Sequence, residues 1–157
     1  MRTHGHGSRR VERVIELASR SGEHGAFWYA LGALGWAYAK PGTRERRAWK
    51  RGIAVTALSY GLNTALKQTV RRPRPQLAGL PQLTPVVSKL SFPSAHSTTS
   101  FAAAECYTSA MPRAKPLFYA AAGFFAVSRP YLGVHYPSDV IAGSALGTVT
   151  GRLLRCR

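Results

Sequence analysis

The chain has 157 residues, 45% of them hydrophobic, and no compositional break that would mark a second domain, so one compact unit is expected. Its 22 Lys and Arg against 6 Asp and Glu give a formal charge of +16, which points to an anionic partner: nucleic acid, anionic lipid or a phosphorylated substrate. Cys106 and Cys156 lack CxxC spacing and sit in or beside apolar stretches, so neither a disulfide framework nor a zinc site is indicated.

The N-terminal segment, residues 1–24, is basic and has no apolar core of the kind a cleavable signal peptide carries. Within it "RRVERVIELASR" interleaves Arg9, Arg10, Arg13 and Arg20 with Glu12 and Glu16 and reads as a short amphipathic helix at a membrane surface. His4 and His6 have no assigned role, and Glu23 and His24 read as cap residues at the interface, with a binding role left open for the latter two.

Five stretches nearly free of charge follow: 25–39, 52–66, 97–111, 117–127 and 140–151. A 15-residue helix covers only ~22 Å of a ~30 Å hydrocarbon core, so hydropathy alone is marginal. Lys and Arg at the ends can snorkel, and Trp28, Trp36, Tyr38, Trp49 and Tyr119 fall near edges where interfacial aromatics belong. The expectation is an all-α integral-membrane bundle of about five transmembrane helices over residues 25–157, preceded by the amphipathic helix. Short basic connectors such as "KPGTRERRAWKR" separate the runs, whereas Lys67 to Ser94 is one long proline-rich connection of the kind that usually carries function. Gly143, Gly147 and Gly151 place a small-residue stripe on the last helix, suited to close contact between helices or between copies of the chain in a homo-oligomer.

If all five runs span, the end of the second, the start of the third, the end of the fourth and the start of the fifth share one membrane face. That face collects Lys67 and Arg74 of "KQTVRRPRP", Ser94, Ala95 and His96 of "PSAH", Arg129 of "VSRP", and His135 and Asp139 of "HYPSD". Cations and helix N-terminal amides around two imidazoles suit phosphoryl transfer. Lys67, Arg74 and Arg129 would neutralise phosphoryl oxygens, and Ser94 with the N–H groups of Ala95 and His96 would add donors where charge accumulates. His135 and Asp139, four residues apart, lie on one helical face, so the carboxylate can hold one ring N–H and free the other nitrogen to attack phosphorus. His96 would serve as general acid and then as base for water.

Lys67-x6-Arg74-Pro75, Pro93-Ser94-Ala95-His96 and Ser128-Arg129-x5-His135-x3-Asp139, in that order, resemble the three-part signature of the type 2 phosphatidic acid phosphatase (PAP2) family. The resemblance implies a membrane phosphatase without metal or cofactor, a phosphohistidine on His135, and a phosphorylated lipid as partner rather than nucleic acid. Ala95 stands where the family usually has glycine. "SGEHG", "VRRPRP" and "LSFPSAHS" further resemble a small actinobacterial subgroup acting on decaprenylphosphoryl-5-phosphoribose. Undecaprenyl pyrophosphate, phosphatidylglycerophosphate and phosphatidate stay open as substrates. So do a vanadium-haloperoxidase-like oxidation and a non-enzymatic basic membrane or nucleic-acid binder. Arg71 and Arg72 divide evenly between headgroup and substrate contacts, and Glu105 is expected to make an interhelical hydrogen bond. Lys and Arg are shared evenly between the two faces; with Lys67, Arg74 and Arg129 set aside for catalysis, the cell-membrane site leans outward.

Overall fold

The structure, a computed structural model, describes residues 9–76, 82–86 and 88–155; the leader with His4 and His6, and Cys156 in the tail, lie outside the described residues. Among the described residues six α-helices are joined by loops and two 3-10 turns, with no strand beyond one isolated bridge between Pro73 and Leu90. Helix α1 (Arg9–Arg20) is the expected amphipathic segment, with Val11, Val14 and Leu17 on one exposed stripe and Ser19 fully buried. A 3-10 turn (Glu23–Gly25) leads into α2 (Ala26–Tyr38). Then come α3 (Arg44–Val70), α4 (Ala95–Ala110), α5 (Lys115–Tyr131) and α6 (Pro137–Leu154).

Helix α3 begins eight residues before its apolar run, inside the segment the sequence presented as a connector. Thr43 caps it by accepting the Arg46 N–H at 3.2 Å, Glu45 sits at the positive end of the dipole, and Arg and Lys are good helix formers. Its 27 residues extend ~40 Å and end with Arg71 at φ 51, whose N–H bonds Lys67 O at 3.0 Å. Long, rigid and charged at both ends, α3 is what carries Lys67 to the site.

Helix α4 is the axis of the bundle, packed against α2, α3, α5 and α6 and buried along nearly its whole length. This is why it tolerates so many small and hydroxyl residues: protein, not solvent or lipid, surrounds them. Helix α6 lies close against it along the glycine stripe. A Cβ on Gly143 would fall 2.6 Å from Ser94 O, on Gly147 2.2 Å from Thr98 O, and on Gly151 2.6 Å from Glu105 Cβ. The stripe is thus spent inside the chain, and a homo-oligomer contact through it would have to displace α4.

Trp28 and Trp49, expected at an interface, are instead 0% and 2% exposed and pack with Tyr107, Phe118 and Phe125 in the core. Trp28 Nε1 donates to Ser100 Oγ and Tyr107 OH to Trp28 O, both at 2.8 Å, so these two rings are buried with their polar atoms satisfied, whereas Trp49 Nε1 is buried without a hydrogen-bond partner among the described residues. Glu105 makes the interhelical contact expected of it, accepting from Arg152 at 2.9 Å and Arg155 at 3.2 Å. Outside the bundle the pattern inverts: Leu34, Leu58, Val127, Ile141, Val149 and Leu153 are exposed. Among the described residues, no helix is both long and apolar enough to cross a membrane.

Candidate active site

Three elements are stitched together at one end of the bundle. The start of α4 meets the start of α6 where Ser94 N–H donates to Asp139 O at 3.0 Å. The loop after α3 is pinned beside them: Ser91 N–H bonds Arg72 O at 2.8 Å, and Ser91 Oγ donates to Pro73 O at 2.9 Å. Buried Asn63 ties α3 to the same turn, its Nδ2 donating to Thr98 Oγ1 at 2.9 Å and Pro93 O at 3.2 Å. The result is a cavity of about 160 Å³ whose walls include Lys67, Arg74, Ala95, His96, Arg129 and His135. The two imidazoles therefore face one space.

His135 is held from both sides. Its Nδ1 lies 3.3 Å from Asp139 Oδ2, and its Nε2 lies 3.1 Å from Arg74 Nη1. A guanidinium only donates, so Nε2 must accept and the ring proton must sit on Nδ1, directed at the carboxylate. The lone pair a nucleophile needs is consequently on the nitrogen that points to the cations. Asp139, fully buried, also accepts the Tyr136 N–H at 2.9 Å and an Arg72 Nη1 bond at 3.0 Å. Arg72 stacks over the Tyr136 ring at 3.9 Å and donates to Ser138 Oγ. Burial pushes the His135 imidazole down to about 4, with nearby Arg74, Lys67 and Arg129 adding to the effect and the Asp139 hydrogen bond opposing it. Burial likewise lowers the Arg74 guanidinium from its ordinary value, and Asp139 counteracts this.

The cations keep capacity in reserve. Lys67 Nζ donates to Leu90 O and Ser91 O, both at 3.2 Å, which leaves one of its three N–H groups. Arg129 is 3% exposed; its Nη1 donates to Ser19 Oγ at 2.9 Å, and its Nε has no protein partner. A buried guanidinium N–H without a partner costs free energy that a bound anion would return. His96 Nε2 donates to Ser19 O at 3.2 Å, leaving Nδ1 to exchange a proton. Ser94 caps α4 through a long 3.5 Å contact with Ser97 N–H and is fully buried rather than on the cavity wall; Ala95 is on it.

A family model described as "PAP2 superfamily" matches residues 50–156, which span every one of these wall residues. The chain belongs to the PAP2 superfamily. Among its PAP2 relatives, decaprenylphosphoryl-5-phosphoribose phosphatase of Mycobacterium tuberculosis (strain CDC 1551 / Oshkosh) is 41% identical over 138 residues, 87% of this chain and 74% of that protein. The enzyme of the same name from Mycolicibacterium smegmatis is 39% identical over 125 residues, 80% of this chain and 67% of the relative. The crystal structure of Aquifex aeolicus LpxE superposes with a TM-score of 0.78 at 22% identity, covering 94% of this chain and 86% of that one, which establishes the shared fold.

Three residues of this PAP2 site, Asn63, Arg72 and Ser19, escaped the motif reading. Arg72 looked like a headgroup or substrate contact, but its guanidinium braces the Asp139 carboxylate. Ser19, a lone serine in a basic helix, reaches Arg129, Ser128 and His96 at once. Nothing at the level of sequence distinguishes it from a surface serine, since its neighbours are more than 70 positions away.

Proposed function

We propose that this PAP2 chain is a phosphatase that removes a terminal phosphate from a polyprenyl-linked sugar phosphate, decaprenylphosphoryl-5-phosphoribose being the best candidate, through a phosphohistidine on His135. The observation that carries the chemistry is the fixed tautomer of His135, with Nδ1–H on Asp139 and the Nε2 lone pair among Lys67, Arg74 and Arg129. The substrate follows from the extent and identity of the mycobacterial relatives.

In the first half-reaction Nε2 of His135 attacks phosphorus, the ester P–O bond breaks, and a protonated His96 delivers its proton to the departing alkoxide. The imidazolium formed at His135 is stabilised by Asp139, which Arg72 and the Tyr136 N–H hold in place. In the second, His96 takes a proton from water as its oxygen attacks phosphorus. The P–N bond breaks, inorganic phosphate leaves and Nε2 regains its electron pair. The three cations and the Ala95 and His96 amides at the start of α4 neutralise charge on the equatorial oxygens throughout. Arg74, which occupies the Nε2 lone pair in the structure, shifts onto the phosphoryl group when substrate binds.

We further propose that α2 through α6 form a membrane domain over residues 25–157, with the basic segment 1–24 on its surface. The exposed belt of Leu34, Leu58, Val127, Ile141 and Val149 supports contact with lipid tails. Helices α2, α4 and α5, of 13, 16 and 17 residues, reach across with the help of snorkelling end charges, and α4 needs no apolar surface because its neighbours shield it. The site then opens on one membrane face, with the cationic ends of α3 and α6 on the other.

The test is phosphate release by purified protein in chelator from a panel of decaprenylphosphoryl-5-phosphoribose, undecaprenyl pyrophosphate, phosphatidylglycerophosphate and phosphatidate. The phosphoribosyl lipid is expected to have the highest kcat/KM, and His135→Ala to lose roughly a thousandfold or more. Activity that vanished in chelator, or survived in His135→Ala, would overturn the mechanism.

A further inference from the structure

The phosphate cavity does not stop at its cations. Its walls also include Glu23 and His24 from the 3-10 turn between α1 and α2, and Tyr60 of α3. A carboxylate on this wall is unexpected. Asp139 is sequestered behind His135, but Glu23 lines the space itself, where it disfavours any additional phosphate. Its contact with Arg20 is long, 4.0 Å, and half exposed, and within the cavity its charge favours the buried Arg129 guanidinium.

The wall is also built with some effort. His24 has φ 54, an uncommon left-handed conformation for a residue with a Cβ, and Gly25 follows at φ 81. Such residues cluster where the backbone is set by function. The consecutive left-handed pair turns the chain sharply into α2 and sets the His24 ring across from Tyr60, with Nδ1 2.8 Å from the phenol oxygen. Tyr60 and Lys67 are seven residues apart on α3, about 10 Å along the axis and on one face. A group extending along the cavity from a phosphate at Lys67 toward Tyr60 therefore meets a carboxylate, an imidazole and a phenol.

We propose that Glu23, His24 and Tyr60 form a sugar-hydroxyl subsite that reads a polyol between the reacting phosphate and the lipid. The carboxylate accepts hydrogen bonds from vicinal hydroxyls, as acidic side chains do on ribose, and the His24–Tyr60 pair supplies one further donor or acceptor. The same carboxylate selects against pyrophosphates, whose second phosphate would fall beside it. This assignment rests on the sugar-phosphate reading above and adds the residues that enforce it.

The experiment measures kcat/KM of the full chain in detergent on three substrates: the phosphoribosyl lipid, its analogue lacking the two ring hydroxyls, and phosphatidate. Wild type, Glu23→Gln and Tyr60→Phe are compared. The wild type should lose about tenfold or more on the analogue. In both variants that penalty should shrink toward unity, and selectivity for the phosphoribosyl lipid over phosphatidate should fall by a similar factor. Equal losses on all three substrates, or an undiminished penalty, would overturn the subsite while leaving the phosphatase reading intact. A wild type that hydrolyses phosphatidate but not the phosphoribosyl lipid would instead overturn the sugar-phosphate reading and the subsite with it.

Discussion

His135 combines burial among cations with a carboxylate at Nδ1, and the balance has a measurable consequence. An imidazole ordinarily protonates near 6.5; here the folded chain takes the proton only near 4. The unfolded chain binds it across that window and the native one does not, so the contribution of His135 to stability is fully present above about pH 6.5 and is lost as the pH falls toward 4. The nucleophile is thereby kept neutral above about pH 5, a range that includes the second ionisation of a phosphate monoester near about pH 6. Histidine-selective 15N NMR, assigned by the signal missing in His135→Asn, should show Nδ1–H with an unprotonated Nε2 down to about pH 5. A midpoint at or above 6.5 would contradict this. His96, His135, Asp139 and the three cations were legible in the sequence because each belongs to a short pattern whose spacing survives without knowledge of the fold. Ser19, Asn63 and Arg72 were not: each acts through a partner brought to it by packing, Ser19 across 77 positions to His96 and Arg72 across 67 to Asp139.

Charge-free runs located the centres of α2 through α6 but not their ends, because termination is decided by caps and helix propensity rather than by hydropathy. Thr43 starts α3 in the middle of a basic stretch, and α5 runs on through Arg129 to Tyr131. The aromatic rings at the run edges were misplaced for a related reason. Depth along a helix says nothing about which way a side chain faces, and Trp28 and Trp49 face the core. The glycine stripe was read correctly as a site of close approach, and its partner is α4. At Gly147 the nearest neighbours are backbone atoms, Thr98 O at 2.2 Å and Thr98 C at 3.0 Å from an added Cβ, so a methyl group cannot be absorbed by a rotamer change. Gly147→Ala should force α4 and α6 apart at a cost of about 1–3 kcal/mol, lowering the thermal midpoint in detergent. Gly61 of α3, with nothing within 4 Å, is the matched control. Gly61→Ala gains helix propensity and should leave the midpoint unchanged or raise it. Equal destabilisation by both would show that glycine flexibility, rather than the α4–α6 approach, is what matters.

At the scale of the whole molecule, charge is divided between two ends with different purposes. At the site end Lys67, Arg74 and Arg129 are buried or half-buried and committed to the cavity, while exposed cations such as Arg20, Arg71 and Lys89 oppose the topological bias of the other end and make it a slight one. At the other end Arg44, Arg47, Lys50, Arg51 and Arg155 gather around an open groove, where the phosphoryl chemistry makes no use of them. Cations without a catalytic task are the ones that report topology, since positive loops are retained on the cytoplasmic side. Anionic headgroups on that leaflet attract them by about 1 kcal/mol each. The basic end should therefore face the cytoplasm and the cavity should open on the opposite side. The prediction is checked with cysteines introduced one at a time in a Cys156→Ser background, where the remaining Cys106 is 1% exposed, at exposed Lys89 beside the cavity and exposed Arg113 in the α4–α5 connection. A membrane-impermeant maleimide applied to intact cells should label Lys89→Cys, and should label Arg113→Cys only after permeabilisation. The reverse pattern would invert the topology. Release of the chain from membranes by high salt alone would remove the bilayer assignment, since an exposed belt of Leu, Ile and Val side chains in lipid is not displaced by screening charge.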